Sequence, residues 1–518
     1  MPVRIRKDKN APSSQKYIPR SRGQMVNRGK GGGLTNAILP LLVTLFRKRP
    51  KLAILLIVLG VVGYIIISRF DSPTSTAVQS ILFGTGLEMD EKIYDEAEVF
   101  EPLADNIKNP LPESVSLEEY CPPRLNQGKQ GSCVGWSSAY AARTILHARS
   151  TGLDPADVTF SPSFVYNQIA LPGCQGTYLQ KAMEVMHKGG ALPFSRFAYN
   201  ENSCSKKPSR MEISAASSYK TKGFNRLTKG GDDYQTDLLA IKQNLAQGAP
   251  VVIGMMVGGS FMQDMMGRRL YSPDRSDYSG SSLGGHAMCV IGYDDYFEGG
   301  AFQVMNSWGQ EWGEDGLFWM RYNDFDYFTR EAYGLYPMGD ADKVISDILD
   351  VEIGLLVNAT GRYIPLDYNA GITFTTASRV DTDTDFKVEI TNSLECFTYI
   401  FGKETDGTSY VLFPYTKKHS PYCGITGTRV FPKDHSLYPD ELGDRDYIAI
   451  VVSRQKLDYN LLNDAINNAP GNTYDQKVYA ALEDELVRDI DFTGGNTVRF
   501  STGNSSRNAV AMVMEIIK

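Results

Sequence analysis

Apolar residues recur along this chain with three spacings, and each predicts a different element. From Leu52 to Ile67 they run without a charge, LAILLIVLGVVGYIII, between Lys51 and Arg69. These 16 residues fall slightly short of a bilayer span, which takes roughly 20. Snorkelling by Lys51 and Arg69 covers part of the shortfall, so the run predicts one transmembrane helix over residues 52–68. After Cys133 the spacing becomes helical, with Val134, Ala141, Ile145 and Ala148 broadly on one face, and a second helical stretch covers Tyr178 to His187. Strand patterns follow at Pro250 to Met255, His286 to Tyr293, Phe302 to Met305 and Leu317 to Arg321. Helices first and strands later predict a segregated α+β domain. From about Lys343 short alternating segments recur between turn residues: Phe386 to Ile390, Tyr410 to Phe413, Thr428 to Phe431, Tyr447 to Ser453 and Ala509 to Ile517. This is the patterning of an antiparallel β-sandwich, with one helix expected near Gln476 to Asp489.

Length and charge divide the chain further. At 518 residues it is too long for a single ordinary core. The expected units are residues 1–51, a basic disordered tail; 52–68, the span; 69–110, a stalk or short propeptide; 111–342, the α+β domain; and 343–518, the β-rich domain. The net charge of −7 conceals a split: residues 1–51 carry 13 of the 53 Lys and Arg but only one acid, Asp8. The remainder therefore holds 40 bases against 59 acids, or −19, which argues against nucleic acid as a partner. With the basic flank N-terminal to the span, the positive-inside rule places the tail in the cytosol and the body on the exoplasmic side, as a single-pass membrane protein. A cleaved signal peptide competes with this reading, but about 50 residues of tail is long for one. Seven cysteines fit an oxidising compartment. The preferred bridges are Cys174–Cys204 and Cys396–Cys423, each closing a loop of about 30 residues; Cys289 reads as a buried thiol.

Three short neighbourhoods carry chemistry. They are Asn126-Gln127-Gly128-Lys129-Gln130-Gly131-Ser132-Cys133, then Gly285-His286-Ala287, then Asn306-Ser307-Trp308-Gly309. A thiol attacks poorly while protonated, and a helix N-terminus and a nearby imidazolium favour its thiolate. Cys133 stands where a helical pattern begins, and His286 opens a strand, so the two can meet across a cleft between helical and β layers. His286 would hold the proton and pass it to the leaving amine. Asn306 would fix the imidazole tautomer, Gln127 and the Cys133 backbone N–H would bind the oxyanion, and Trp308 would keep water off the His–Asn bond. Taken singly, each residue reads as core or turn; the order and the neighbourhoods make the site. No metal-binding spacing is present, so neither metal nor cofactor is expected. Phe261, Met262, Met265 and Met266 read as packing rather than as a pocket wall.

At these residues the chain resembles the papain family of cysteine peptidases, from about Leu111-Pro112 to Leu335-Tyr336-Pro337. The resemblance implies a papain-like two-lobed domain, one lobe helical and one β, acting as a cysteine-type peptidase on peptide or protein substrates. It assigns Gln127 to the oxyanion hole, Cys133 to the nucleophile, His286 to the acid/base, Asn306 to the orienting residue and Trp308 to its shield. Gly173-Cys174-Gln175-Gly176 is similar to the family segment lining the non-primed side of the cleft, which makes Gly176 and Thr177 substrate-cleft candidates. The sequence departs from the family at Gln130, where a cysteine is usual, at Val134, where an aromatic is usual, and at Thr177, often a glycine, where the larger side chain is expected to narrow the cleft. Residues 69–110 are also too few for the family's long prodomain. Phe401-Gly402, Leu412-Phe413-Pro414, Phe431-Pro432 and Tyr447 to Ser453 resemble a β-rich bacterial domain of unknown function, expected to bind a protein or glycan partner. The leading expectation is a membrane-anchored endopeptidase in the bacterial inner membrane facing the periplasm. Its rival is a scaffold that keeps the fold without turnover.

Overall fold

The computed structural model describes residues 3–8, 85–228, 235–279, 283–336, 348–488, 490–503 and 505–518. The expected span at 52–68 lies outside the described residues. Among the described residues no helix is long and apolar enough to cross a membrane.

The α+β domain takes the expected layout. Its central helix starts at Cys133 and continues through Trp136–Arg143 and Thr144–Thr151. Val134, Ala141, Ile145 and Ala148 are all buried in it, because that face packs against the strand Gly284–Asp294. Helices Pro162–Ile169 and Leu179–Lys188 complete the helical lobe. The β lobe is an eight-stranded sheet centred on Val251–Val257, Gly284–Asp294, Ala301–Met305 and Leu317–Arg321, flanked by Phe224–Arg226, Thr329–Leu335 and Leu270–Tyr271, with Ser114–Ser116 added against the end of Gly284–Asp294. Gly284–Asp294 pairs with Val251–Val257 on one side and Ala301–Met305 on the other, which carries His286 and Asn306 on adjacent strand ends.

The C-terminal domain consists of two seven-stranded sheets enclosing one core of residues such as Ile353, Val388, Ile400, Ile450 and Met512. Its second helix, Tyr474–Leu482, begins close to the expected place, but Tyr459–Asn468 is a further helix that the alternating pattern concealed. Both helices cover the outer face of one sheet, with Leu462, Ile466 and Val478 packed on Tyr399 and Phe401.

Three expectations do not hold in full. Residues 3–7 are not part of a disordered tail: Val3–Lys7 is an edge strand of the C-terminal domain, paired antiparallel with His435–Pro439. Its alternation of Val3 and Ile5 with Arg4 and Arg6 was masked by the basic composition around it. Residues 85–110 do not stand free as a stalk, because they are packed on both domains. Leu87, Tyr94 and Ala97 join the core of the α+β domain, whereas Val99–Phe100 pairs with His419–Ser420 of the C-terminal domain. The third concerns disulfides. Cys174–Cys204 is formed, with a Cα–Cα distance of 5.8 Å, but Cys396 and Cys423 are free thiols. They lie directly opposite each other on paired strands, and the hydrogen bond between the two thiols lowers Cys423 and raises Cys396. Treating the folded protein with diamide should therefore join them, both thiols losing hydrogen to the oxidant. Peptide mapping checks this; full alkylation of both cysteines after denaturation would refute it.

Candidate active site

Cys133 is fully buried at the N-terminus of its helix. Two backbone segments close in on the sulfur. Burial pushes the thiol up to about 12, opposed by backbone hydrogen bonds from Ala287 and Gly86. Ala287 follows His286 directly, so the strand start that carries the imidazole lies against the thiol.

The His286 ring shares a hydrogen bond between Nε2 and Asn306 Oδ1 at 2.8 Å. Asn306 Oδ1 also accepts from the Ser307 N–H at 2.8 Å, which fixes the amide with its oxygen toward the ring. An oxygen only accepts, so Nε2 carries the proton and Nδ1 keeps its lone pair. Nδ1 is buried and has no hydrogen-bond partner. Burial lowers His286 to about 4, the Asn306 bond opposing. In this state the pair is neutral thiol and neutral imidazole. Trp308 stacks on the His286 ring with centroids 4.4 Å apart and planes 23° from parallel.

Gln127 arrives because its segment zips onto the asparagine turn: Gln127 N donates to Ser307 O at 2.8 Å, and Asn126 bridges Trp308. Its side chain is held at both ends. Nε2 donates to Gln130 O at 2.9 Å, and Oε1 accepts from Ser307 Oγ at 2.5 Å. All four expected catalytic residues and Trp308 thus meet in one place. Two further side chains support the site. Tyr199 joins Gln127 O and Ser132 Oγ, each at 2.7 Å. Phe261 packs edge-on against both Trp308 and Phe318 and so props the His286 shield; Phe261, Met262 and Met265 are buried packing as expected, whereas Met266 is exposed. Gln130, where the family usually has a cysteine, donates to Asn200 O at 3.1 Å.

The cleft is occupied by the chain itself. Leu87 N donates to Gly285 O at 3.1 Å, Glu88 N to Thr177 O at 2.9 Å, and Thr177 N to Gly86 O at 2.9 Å. The segment is a strap stitched to both walls, and Leu87 runs parallel to Thr177. The approach is so close that a side chain at Gly285 would lie 2.2 Å from Leu87 O. Thr177 does not narrow the cleft with its side chain as expected: its hydroxyl turns away to donate to Ile169 O at 2.8 Å, leaving the backbone to meet the strap. Asp90 then caps the helix Glu91–Asp95, and Tyr94 anchors it through Thr228 Oγ1 at 3.2 Å and an edge contact with Tyr333. The strap lies in the stretch expected to be a stalk or short propeptide, and no periodicity marks its place in the cleft.

Comparison with known proteins decides the family. The family model for papain family cysteine proteases matches residues 111–338. This domain belongs to the papain family. It is the domain of a cysteine-type peptidase. Similar curated proteins include a Cathepsin B-like CP2 of Giardia intestinalis, 28% identical over 231 residues that make up 41% of this chain and 70% of that protein. Cathepsin K of Mus musculus is 25% identical over 213 residues, 40% of this chain and 58% of that protein. Among solved structures, Xylellain, a cysteine protease from Xylella fastidiosa, is 24% identical with a TM-score of 0.40, covering 49% of this chain and 96% of that one. The C-terminal domain lies outside the family match.

Proposed function

We propose that this protein is a papain-like cysteine endopeptidase, held latent by residues 85–89 in its own cleft. The observation that carries the reading is the buried, partnerless Nδ1 of His286, its tautomer set by Asn306, on the strand start that also presents the Ala287 N–H to the Cys133 sulfur. With the strap displaced, Nδ1 takes the thiol proton and the thiolate adds to a peptide carbonyl. The oxyanion is stabilised by the Gln127 amide and the Cys133 backbone N–H. The imidazolium returns its proton to the leaving amine as the C–N bond breaks, leaving a thioester, which water hydrolyses with His286 as base. Incubating a peptide blocked at both ends with protein freed of the strap tests this: internal cleavage is expected, and neither cleavage nor thiol labelling would favour a silent scaffold.

Glu331 adds a pH dependence to latency. It is buried, its carboxyl pushed up to about 8 by desolvation and by the nearby Asp90 carboxylate. Glu331, Leu87 and Leu179 close around the space left by the absent side chain of Gly254. A carboxyl whose value in the closed state exceeds its free value holds more protons when closed. It therefore supports closure below about 4.5, and that support is lost as pH rises toward 8. The Cys133 alkylation rate of wild type, divided by that of Glu331→Gln, should rise about tenfold or more between pH 5 and pH 8. Each pH step between the free and closed values is worth up to about tenfold, and relaxation of the site absorbs part of it. A flat ratio would remove Glu331 from the latch.

The compartment belongs to the same proposal. The Cys174–Cys204 bridge supports an exoplasmic body, and the apolar run at 52–68 supports attachment to a membrane. The C-terminal domain is proposed to bind a protein or glycan partner beside the peptidase, on its sandwich architecture alone.

A further inference from the structure

Lys387 is a cation placed where a cation is costly. Its side chain is 7% exposed, in the middle of a sheet. Three carbonyls accept from its Nζ: Pro432 at 3.0 Å, Lys433 at 2.7 Å and His435 at 2.6 Å. Carbonyls satisfy donors but do not neutralise charge, and a buried ammonium requires a carboxylate. The carboxylate comes from Asp8, at 2.7 Å and itself 10% exposed. Asp8 also accepts from the buried Ser436 hydroxyl at 2.5 Å.

The rest of the segment is received with similar specificity. Val3 is fully buried in the sandwich core, and its carbonyl accepts from Tyr410 Oη at 3.1 Å. Arg6 donates to Asp385 at 2.5 Å and lies 4.3 Å from the Tyr438 ring centroid. The receiving strand, His435–Pro439, meets its inner neighbour through a single pair, Phe386 with Leu437. Its ladder is made instead with residues 3–7, over five consecutive pairs. An edge strand so lightly held on its inner side, with a buried charge beside it, is incomplete without the incoming segment.

We infer that the C-terminal domain carries a strand-acceptor site, built from His435–Pro439 and the Lys387 ammonium, that is filled by the chain's own residues 3–8 and so keeps the N-terminus in the same compartment as the peptidase. A single membrane crossing between residue 8 and residue 85 is incompatible with this arrangement. The expected placement of the tail in the cytosol and the body outside is therefore replaced by one in which both share a side. The inference does not depend on the peptidase activity.

Two measurements on the full-length chain test it. Outside the disulfide, all the native cysteines are buried, so single cysteines placed at exposed Lys7 and Asp406 can be labelled in intact spheroplasts with a membrane-impermeant maleimide. Lys7→Cys and Asp406→Cys should label together, both before lysis or both only after it. Labelling of Asp406→Cys before lysis and of Lys7→Cys only after it would overturn the shared compartment. Second, Arg4 and Tyr438 are opposite in the ladder. The pair Arg4→Cys with Tyr438→Cys should be joined within one chain by a short bismaleimide, and adding Asp8→Lys should cut that yield about tenfold. No crosslink, or a yield unaffected by Asp8→Lys, would overturn the acceptor site. A crosslinked dimer would assign the strand to a second copy and overturn the choice of occupant.

Discussion

Gly86→Ala should convert an almost inert protein into an active one, with a gain on the order of 100-fold in both peptide hydrolysis and alkylation of Cys133. A methyl group on Gly86 would lie 2.1 Å from Gly131 O and 2.3 Å from Gly131 C. Those are backbone atoms immediately before the nucleophile's helix, and they cannot swing aside as a side chain would. Overpacking in a well-packed site costs about 1–3 kcal/mol, and contact this close with rigid backbone belongs at the upper end. At about 1.4 kcal/mol per tenfold, that suffices to shift a strap closed 99 times in 100 to one open most of the time. Release has a second consequence. The Gly86 N–H and the desolvation imposed by the strap leave the sulfur together, and water and substrate take their place. The thiol then moves down from about 12, because burial is the largest cause of its elevation. The rate of alkylation against pH reports this directly: the Gly86→Ala midpoint should lie well below that of the parent. Equal rates in the two proteins would show that the strap does not limit access.

Cys133→Ala, made on the Gly86→Ala background so that there is activity to lose, should remove peptide hydrolysis by about 10⁴-fold or more. Nothing else near the site replaces a sulfur nucleophile. The thermal midpoint should change little, because deleting one buried sulfur removes few contacts beside a helix held by Val134, Ala139 and Ala142. That separation of activity from stability distinguishes a reacting atom from a packing one. If hydrolysis survives at the parental rate, the nucleophile has been misassigned.

The readable part of the site was the part encoded in contiguous neighbourhoods. Cys133 before a helical run, His286 opening an alternating strand and Asn306 two residues before Trp308 were each visible because local backbone demands and chemistry fell on the same few residues. The sheet followed for a similar reason. Strands buried on both faces, such as Val251–Val257, read as apolar runs between turn residues. The missed helix Tyr459–Asn468 has Leu461 exposed and Leu462 buried side by side, so its apolar stripe is too thin to stand out from the surrounding alternation.

The candidate chemistry and the class of fold were legible in the sequence, since both follow from residue identity at short spacing: a thiol at a helix start, an imidazole on a strand, an amide to fix its tautomer, and helices preceding sheets. The occupants of the cleft and of the sandwich edge were legible only in the folded chain. Residues 85–89 and 3–8 are both short, and each is held by partners far along the chain, Gly285 for one and Lys387 for the other. A segment whose conformation is set by long-range backbone pairing and one buried charge leaves no period in the sequence from which its place can be read.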